Sequence, residues 1–136
     1  MQLTAPKQRQ GEKFEQLANW YLQAQGLTFV GKNWQFAPFG ELDLVMLDNQ
    51  TTPPTLVVVE VRQRKHSQFG NACDSITVSK QRKLIRTTQA MLQRHPEFGD
   101  YDIRFDIVSF DVALSQVNWQ QPPIPTWLKS AFIVSQ

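Results

Sequence analysis

Carboxylates in the middle of apolar strands are the first residues of this chain that could do chemistry. In Glu41-Leu42-Asp43-Leu44-Val45 two acids lie two residues apart, so both point to one face of an extended strand. In Val58-Val59-Glu60-Val61-Arg62-Gln63-Arg64 the residues Glu60, Arg62 and Arg64 share a face. An ionised carboxylate in such a setting is costly unless it is paired or bound to a cation. If the two segments pair as a hairpin, Asp43 and Glu60 approach, and two close carboxylates repel. A divalent ion is the natural neutraliser. Magnesium or manganese suits a set of carboxylates, carbonyls and water that leaves positions for substrate oxygens. A metal so held polarises a phosphoryl oxygen and lowers the pKa of an attacking water. Arg62 beside it would steady the scissile phosphate. The plainer reading of Glu60 is an internal ion pair with Arg62 or Arg64. Glu41 reads either as a further acid at the metal or as the polar start of a strand, the second being the simpler.

The charge distribution supplies the second motif. The net charge is only +2, yet residues 62–94 hold eight Lys and Arg against one acid, Asp74. Elsewhere six positives face eleven acids. A basic face beside an acidic one suits a phosphate-rich partner. Arg64 and Lys65 follow the strand, and Lys80, Arg82, Lys83 and Arg86 lie on one side of a helix. They are candidate phosphate contacts, which position nucleic acid without reading its sequence. A solvated helix face is the alternative.

The elements that must position these groups follow from periodicity. Phe14, Leu17, Ala18, Tyr21 and Leu22 make one helical stripe over residues 11–25, stopped by Gly26. Strands are expected over 27–33, 41–48 and 55–64, the last two joined by a loop carrying Pro53 and Pro54. Leu56-Val57-Val58-Val59 is apolar on both faces, as in a central strand covered on both sides. A glycine-containing loop around residues 69–71 leads to a second helix over 77–94, with Val78, Leu84, Ile85, Thr88, Met91 and Leu92 on its apolar side. A fourth strand over 102–112, a short fifth over 116–120 and a last helix over 126–132 complete the order α-β-β-β-α-β-(β)-α. That is a mixed sheet flanked by helices, within one domain spanning 1–136.

Composition narrows the class. At 136 residues, 41% apolar and 19% charged, the chain can bury a core unaided. The longest apolar run is four residues, so no membrane span is expected. The N-terminus has no apolar signal region, and a lone Cys73 excludes a disulfide framework and a cysteine zinc site, so a cytoplasmic protein is expected. His66 and His95 lack ligand spacing and read as surface residues, His66 within reach of phosphate. Asp106 reads as a salt-bridge partner of Arg104 or of an arginine in the third strand. Trp20, Trp34, Trp119 and Trp127 read as core, and Phe36 and Phe39 as exposed aromatics beside the Gly40 turn.

Several of these residues together resemble one bacterial family. They are Gly11, Glu15, Ala18, Tyr21-Leu22, Gly26, Asn33, Gly40-Glu41-Leu42-Asp43-Leu44-Val45, Val59-Glu60-Val61-Arg62, Arg64, Phe69-Gly70, Val78, Lys80 and Arg104-Phe105-Asp106. Residues 127–132 give a fainter echo. The pattern, from about 11 to 111, is similar to the UPF0102 or YraN family. That resemblance implies a restriction endonuclease-like fold within the PD-(D/E)xK superfamily, near archaeal Holliday junction resolvases. It implies Asp43 and Glu60 as the motif's two acids, Arg62 at the lysine position and Glu15 as the N-terminal-helix acid. Without the resemblance, Glu15 reads as a solvated helix residue. One departure stands out: arginine remains protonated and cannot serve as a general base, although it can clamp phosphate.

The implied activity is hydrolysis of DNA phosphodiesters with magnesium or manganese, on branched or junction substrates. The alternatives are a catalytically silent nucleic-acid-binding module and an interaction domain whose acids and arginines form a structural network. A homodimer would suit a two-fold junction substrate.

Overall fold

The structure, a computed structural model, describes residues 6–63 and 76–132. Arg64, Lys65, His66, Cys73 and the loop around 69–71 lie outside the described residues. Helix α1 spans Pro6–Ala24. Its stripe buries Phe14, Leu17, Ala18 and Leu22, with Tyr21 partly covered. Gly26, at φ 102, closes the helix: its N–H reaches Gln23 O at 3.0 Å while Leu27 N reaches Leu22 O at 3.0 Å. The left-handed residue there is why glycine ends the helix.

Three antiparallel strands follow, β1 (Thr28–Phe36), β2 (Gly40–Asp48) and β3 (Thr55–Gln63). Helix α2 (Val78–Arg94) then precedes β4 (Asp102–Phe110), which pairs parallel with β3. A parallel neighbour needs a long crossover, and α2 lies within it. Thr77 caps α2, its side chain accepting the Lys80 N–H at 3.1 Å. The sheet order is β1-β2-β3-β4-β5.

Central strand β3 sorts the layers by alternation. Val57 and Val59 join Leu44, Met46 and Val108 under α1, while Leu56 and Val58 join Val45, Ile107, Leu84 and Met91 under α2. The result is a helix, sheet, helix sandwich. No helix among the described residues is long and apolar enough to cross a membrane.

The C-terminal segment departs from expectation. Residues 126–132 form β5 (Thr126–Phe132), not a helix, and pair antiparallel with β4. Seven residues are too few to establish a helical period, and the free edge of β4 offers a ladder of unsatisfied backbone groups. Between Phe105↔Phe132 and Ile107↔Leu128 the strand carries extra residues. Ser130 takes up the bulge at φ 51 and donates its N–H to Asp106 Oδ1 at 2.9 Å. Trp127 Nε1 donates to Asp106 Oδ2 at 2.9 Å. The expected strand over 116–120 is instead a short 3-10 turn, Leu114–Gln116, and a turn closed by Gln121 N to Asn118 O at 3.0 Å.

Several aromatic assignments also change. Trp20 is 59% exposed, on the outer side of α1, and Trp119 is exposed as well. Phe36 is buried, whereas Phe39 is exposed. Val78 opens α2 on its solvent side. His95 is half-buried, its ring 4.7 Å from that of Trp34 and its Nδ1 3.0 Å from Glu97 Oε1. Asp106 does pair with Arg104, at 3.1 Å, and Arg104 continues to Asp48 at 2.9 Å.

Candidate metal centre and basic groove

The hairpin of β2 and β3 ends its register at Leu44↔Val59. Asp43 and Glu60 are the next residues along each strand, so the acids stand where the ladder opens. Asp43 Oδ2 accepts the Val61 N–H at 3.2 Å, which ties it to β3 in place of a ladder bond. Burial pushes the Asp43 carboxyl up to about 7, the charge of Glu60 adds to the effect, and the Val61 N–H and Lys80 oppose it. Glu60 is itself buried. Its Oε1 lies 2.6 Å from Lys80 Nζ, a short charge-assisted contact from the first turn of α2.

Glu15 arrives from α1. Burial raises it to about 8, Asp43 and then Glu41 push in the same direction, and Lys32 pulls against them. Carboxylate oxygens of Glu15, Glu41 and Asp43 all lie within 4.8 Å of one another. Asn33 supports them from β1 in the left-handed region, φ 52, which asparagine tolerates better than most residues. With its amide nitrogen turned to the acids, Asn33 donates to Glu15 Oε1 at 3.1 Å and to Glu41 Oε1 at 3.0 Å. Gln35 Nε2 donates to the other oxygen of Glu41 at 2.7 Å.

Asp43 thus stands between two groups: it neighbours Glu60 across the strands, and it clusters with Glu15 and with Glu41, which also opens its strand; Glu60 lies outside that three-acid cluster and pairs with Lys80. Arg62, half-buried, follows Glu60 by two residues and pairs with Ser109 in the ladder. Lys80 and Lys83 line the acid pocket with Glu41, Asp43 and Glu60. Arg82 and Arg86 do not; with Lys83 they line an adjoining groove. Two features were not assigned from sequence. Asn33 appeared only within the resemblance, and its signal was an asparagine inside a strand. The pairing of Lys80 with Glu60 depends on where α2 sits, which spacing alone does not give.

The donor set fits a small divalent cation. The donors are hard carboxylate oxygens, and two of the carboxyls are raised towards neutrality by burial and then by the charge of neighbouring acids. A mixed α/β sandwich with acids at the parting of two central strands defines the class of protein.

The particular family follows from sequence comparison. Residues 14–110 match the model of Uncharacterised protein family UPF0102. A UPF0102 protein of Psychrobacter arcticus is 43% identical over 149 aligned positions, covering 99% of this chain and 86% of that protein. One from Mannheimia succiniciproducens is 46% identical, covering 83% of this chain and 92% of its own length. One from Pseudomonas putida strain GB-1 is 44% identical, with coverage of 91% and 93%. The chain belongs to the UPF0102 family.

Proposed function

We propose that this protein is a metal-dependent nuclease of the PD-(D/E)xK type, with a restriction endonuclease-like fold, that hydrolyses DNA phosphodiester bonds. The observation that carries the reading is the placement of Asp43 and Glu60, side by side where β2 and β3 part, with Lys80 against Glu60. Asp43 would hold magnesium or manganese with Glu15 and Glu41, whose oxygens lie within 4.8 Å of one another and of its own, and with Glu60 once Lys80 releases it. When bound, the ion supplies Lewis-acid polarisation of the phosphoryl oxygen and a more acidic water.

The chain's own residues do the remaining work. Lys80 brings from α2 an amine that, unlike the guanidinium of Arg62, can hand its proton on and take one up again. Released from Glu60, it can orient the attacking water or hold a phosphate oxygen. Arg62 keeps its charge throughout and stabilises the negative charge that builds on the phosphoryl oxygens. Asn33 and Gln35 fix the carboxylates of Glu15 and Glu41, so the acids need no reorganisation when substrate arrives.

A second reading, a nucleic-acid-binding module without catalysis, is favoured by one observation: Lys80 supplies Glu60 with a counter-charge from within the chain. Calorimetric titration with manganese separates the two. The nuclease reading expects binding that Asp43→Asn abolishes; absence of binding by folded wild type supports the module.

A further inference from the structure

Beside the acid pocket lies a second hollow of about 560 Å³, between the turn joining β1 to β2 and the outer side of α2. Arg82, Lys83 and Arg86 line it together with Phe39 and Val78, and among the described residues none that lines it is an acid. Lys83 also lines the acid pocket, so the two hollows adjoin there. Val78, Arg82 and Arg86 recur every four residues, one stripe along α2 with about 6 Å between successive positions.

Phe39 is 43% exposed and Val78 61%, so apolar surface is displayed among cations. The turn that presents Phe39 is fastened in place. Arg94 Nη2 donates to Ala37 O at 2.7 Å, and Phe39 N donates to Phe36 O at 2.8 Å. Gly40, at φ 146, approaches α2 so closely that a Cβ would stand 3.0 Å from Lys83 Cε and 3.1 Å from Thr87 Oγ1. The aromatic face is therefore held in position beside the cations.

We propose that this groove takes an unpaired strand of DNA, with one base stacked on Phe39, the flanking phosphates on Arg82 and Arg86, and Lys83 leading the strand to the acids. A duplex buries the faces of its bases and offers cations only its phosphates and groove edges. Exposed aromatic surface interleaved with cations suits unpaired bases instead. The proposal rests on the nuclease reading for the fate of the strand at Asp43 and Glu60, but not for its binding. It narrows the substrate to single-stranded ends, flaps or frayed branches.

The test is fluorescence anisotropy in the presence of a chelator, so that no hydrolysis enters. The probes are a short labelled oligothymidylate and a blunt duplex of equal length. Wild type is expected to bind the single strand more tightly than the duplex. Phe39→Ala is expected to weaken single-strand binding about tenfold while leaving the duplex unchanged, and Phe39→Trp to restore it. Arg82→Ala with Arg86→Ala is expected to weaken both and to flatten the salt dependence by about 0.7 per lost contact on the single strand. Equal binding of single strand by wild type and Phe39→Ala overturns the proposal, as does no binding by wild type at low salt. Binding as described by a protein that cuts no DNA overturns the nuclease reading and leaves the groove standing.

Discussion

Lys80, at the start of α2, closes to 2.6 Å on Glu60, whose carboxylate is buried in the central strand β3. The contact joins the basic helix to the acid site and accounts for one of the clustered negative charges. Glu15 and Asp43, by contrast, are left with burial and mutual repulsion as the dominant influences.

Removing Lys80 therefore acts at two levels. A fully buried pair broken at one partner costs about 3–5 kcal/mol, and an exposed pair about 0–1 kcal/mol. With the Lys80 side chain 48% exposed, Lys80→Ala is expected to destabilise by about 1–2 kcal/mol, read by urea denaturation. DNA cleavage is expected to fall about 100-fold or more, as for loss of a proton-transfer group. Lys80→Arg should restore the stability but not the cleavage. Full cleavage by Lys80→Ala would leave Lys80 a structural residue.

The acid cluster makes metal-free stability depend on pH. Asp43 and Glu15 sit at about 7 and about 8 in the folded protein, above the ordinary carboxylate value of about 4. Over that interval the folded state binds more protons than the unfolded state, so stability falls as pH rises. Thermal unfolding in chelator should give a Tm that decreases from about pH 5 to about pH 8. Asp43→Asn should flatten the decline, and manganese should raise Tm most at the alkaline end, where the acids are free to bind it. A Tm that rises across this interval in the metal-free protein would contradict the electrostatics.

Asp106 is the staple of the C-terminal strand. Buried on β4, it accepts Arg104 Nε at 3.1 Å, Trp127 Nε1 at 2.9 Å and Ser130 N at 2.9 Å. Asp106→Ala leaves Arg104 with Asp48 as its one remaining acid partner among the described residues and deprives the Trp127 and Ser130 N–H groups of their acceptor, an expected cost of about 3–5 kcal/mol. Hydrogen exchange should locate the loss in β5. Protection of β5 equal to wild type would mean that the bulge holds without its acceptor.

Gly40 joins the turn to α2 by close approach. Gly40→Ala meets both a positive φ and the Lys83 and Thr87 side chains, and should cost about 1–3 kcal/mol while displacing Phe39. Urea denaturation reads the first effect, and loss of single-strand anisotropy the second. Wild-type values in both would show that the turn accommodates a side chain.

Much of the frame is legible in the sequence because it is periodic. The α1 stripe, the two-sided apolar run of β3 and the hairpin holding Pro53 and Pro54 each have one stable folded form. Asp43 and Glu60 could be picked out because charge in a central strand is conspicuous. β5 was hidden because its seven residues carry no decisive period, and what holds them is Asp106, some twenty residues earlier. The same holds for Phe36 and Trp20. Which aromatic is covered depends on the helix or sheet laid against it, and local pattern does not carry that information.

The most direct measurement is cleavage of DNA with manganese present, on blunt duplex, single-stranded, flapped and four-way-junction substrates. Wild type would be run beside Asp43→Ala and Glu60→Ala, each shown to be folded by circular dichroism. Wild type is expected to cut at or beside unpaired DNA, and both variants to lose those cuts. Folded wild type that cuts none of these substrates, or variants that cut as well as wild type, would overturn the nuclease assignment.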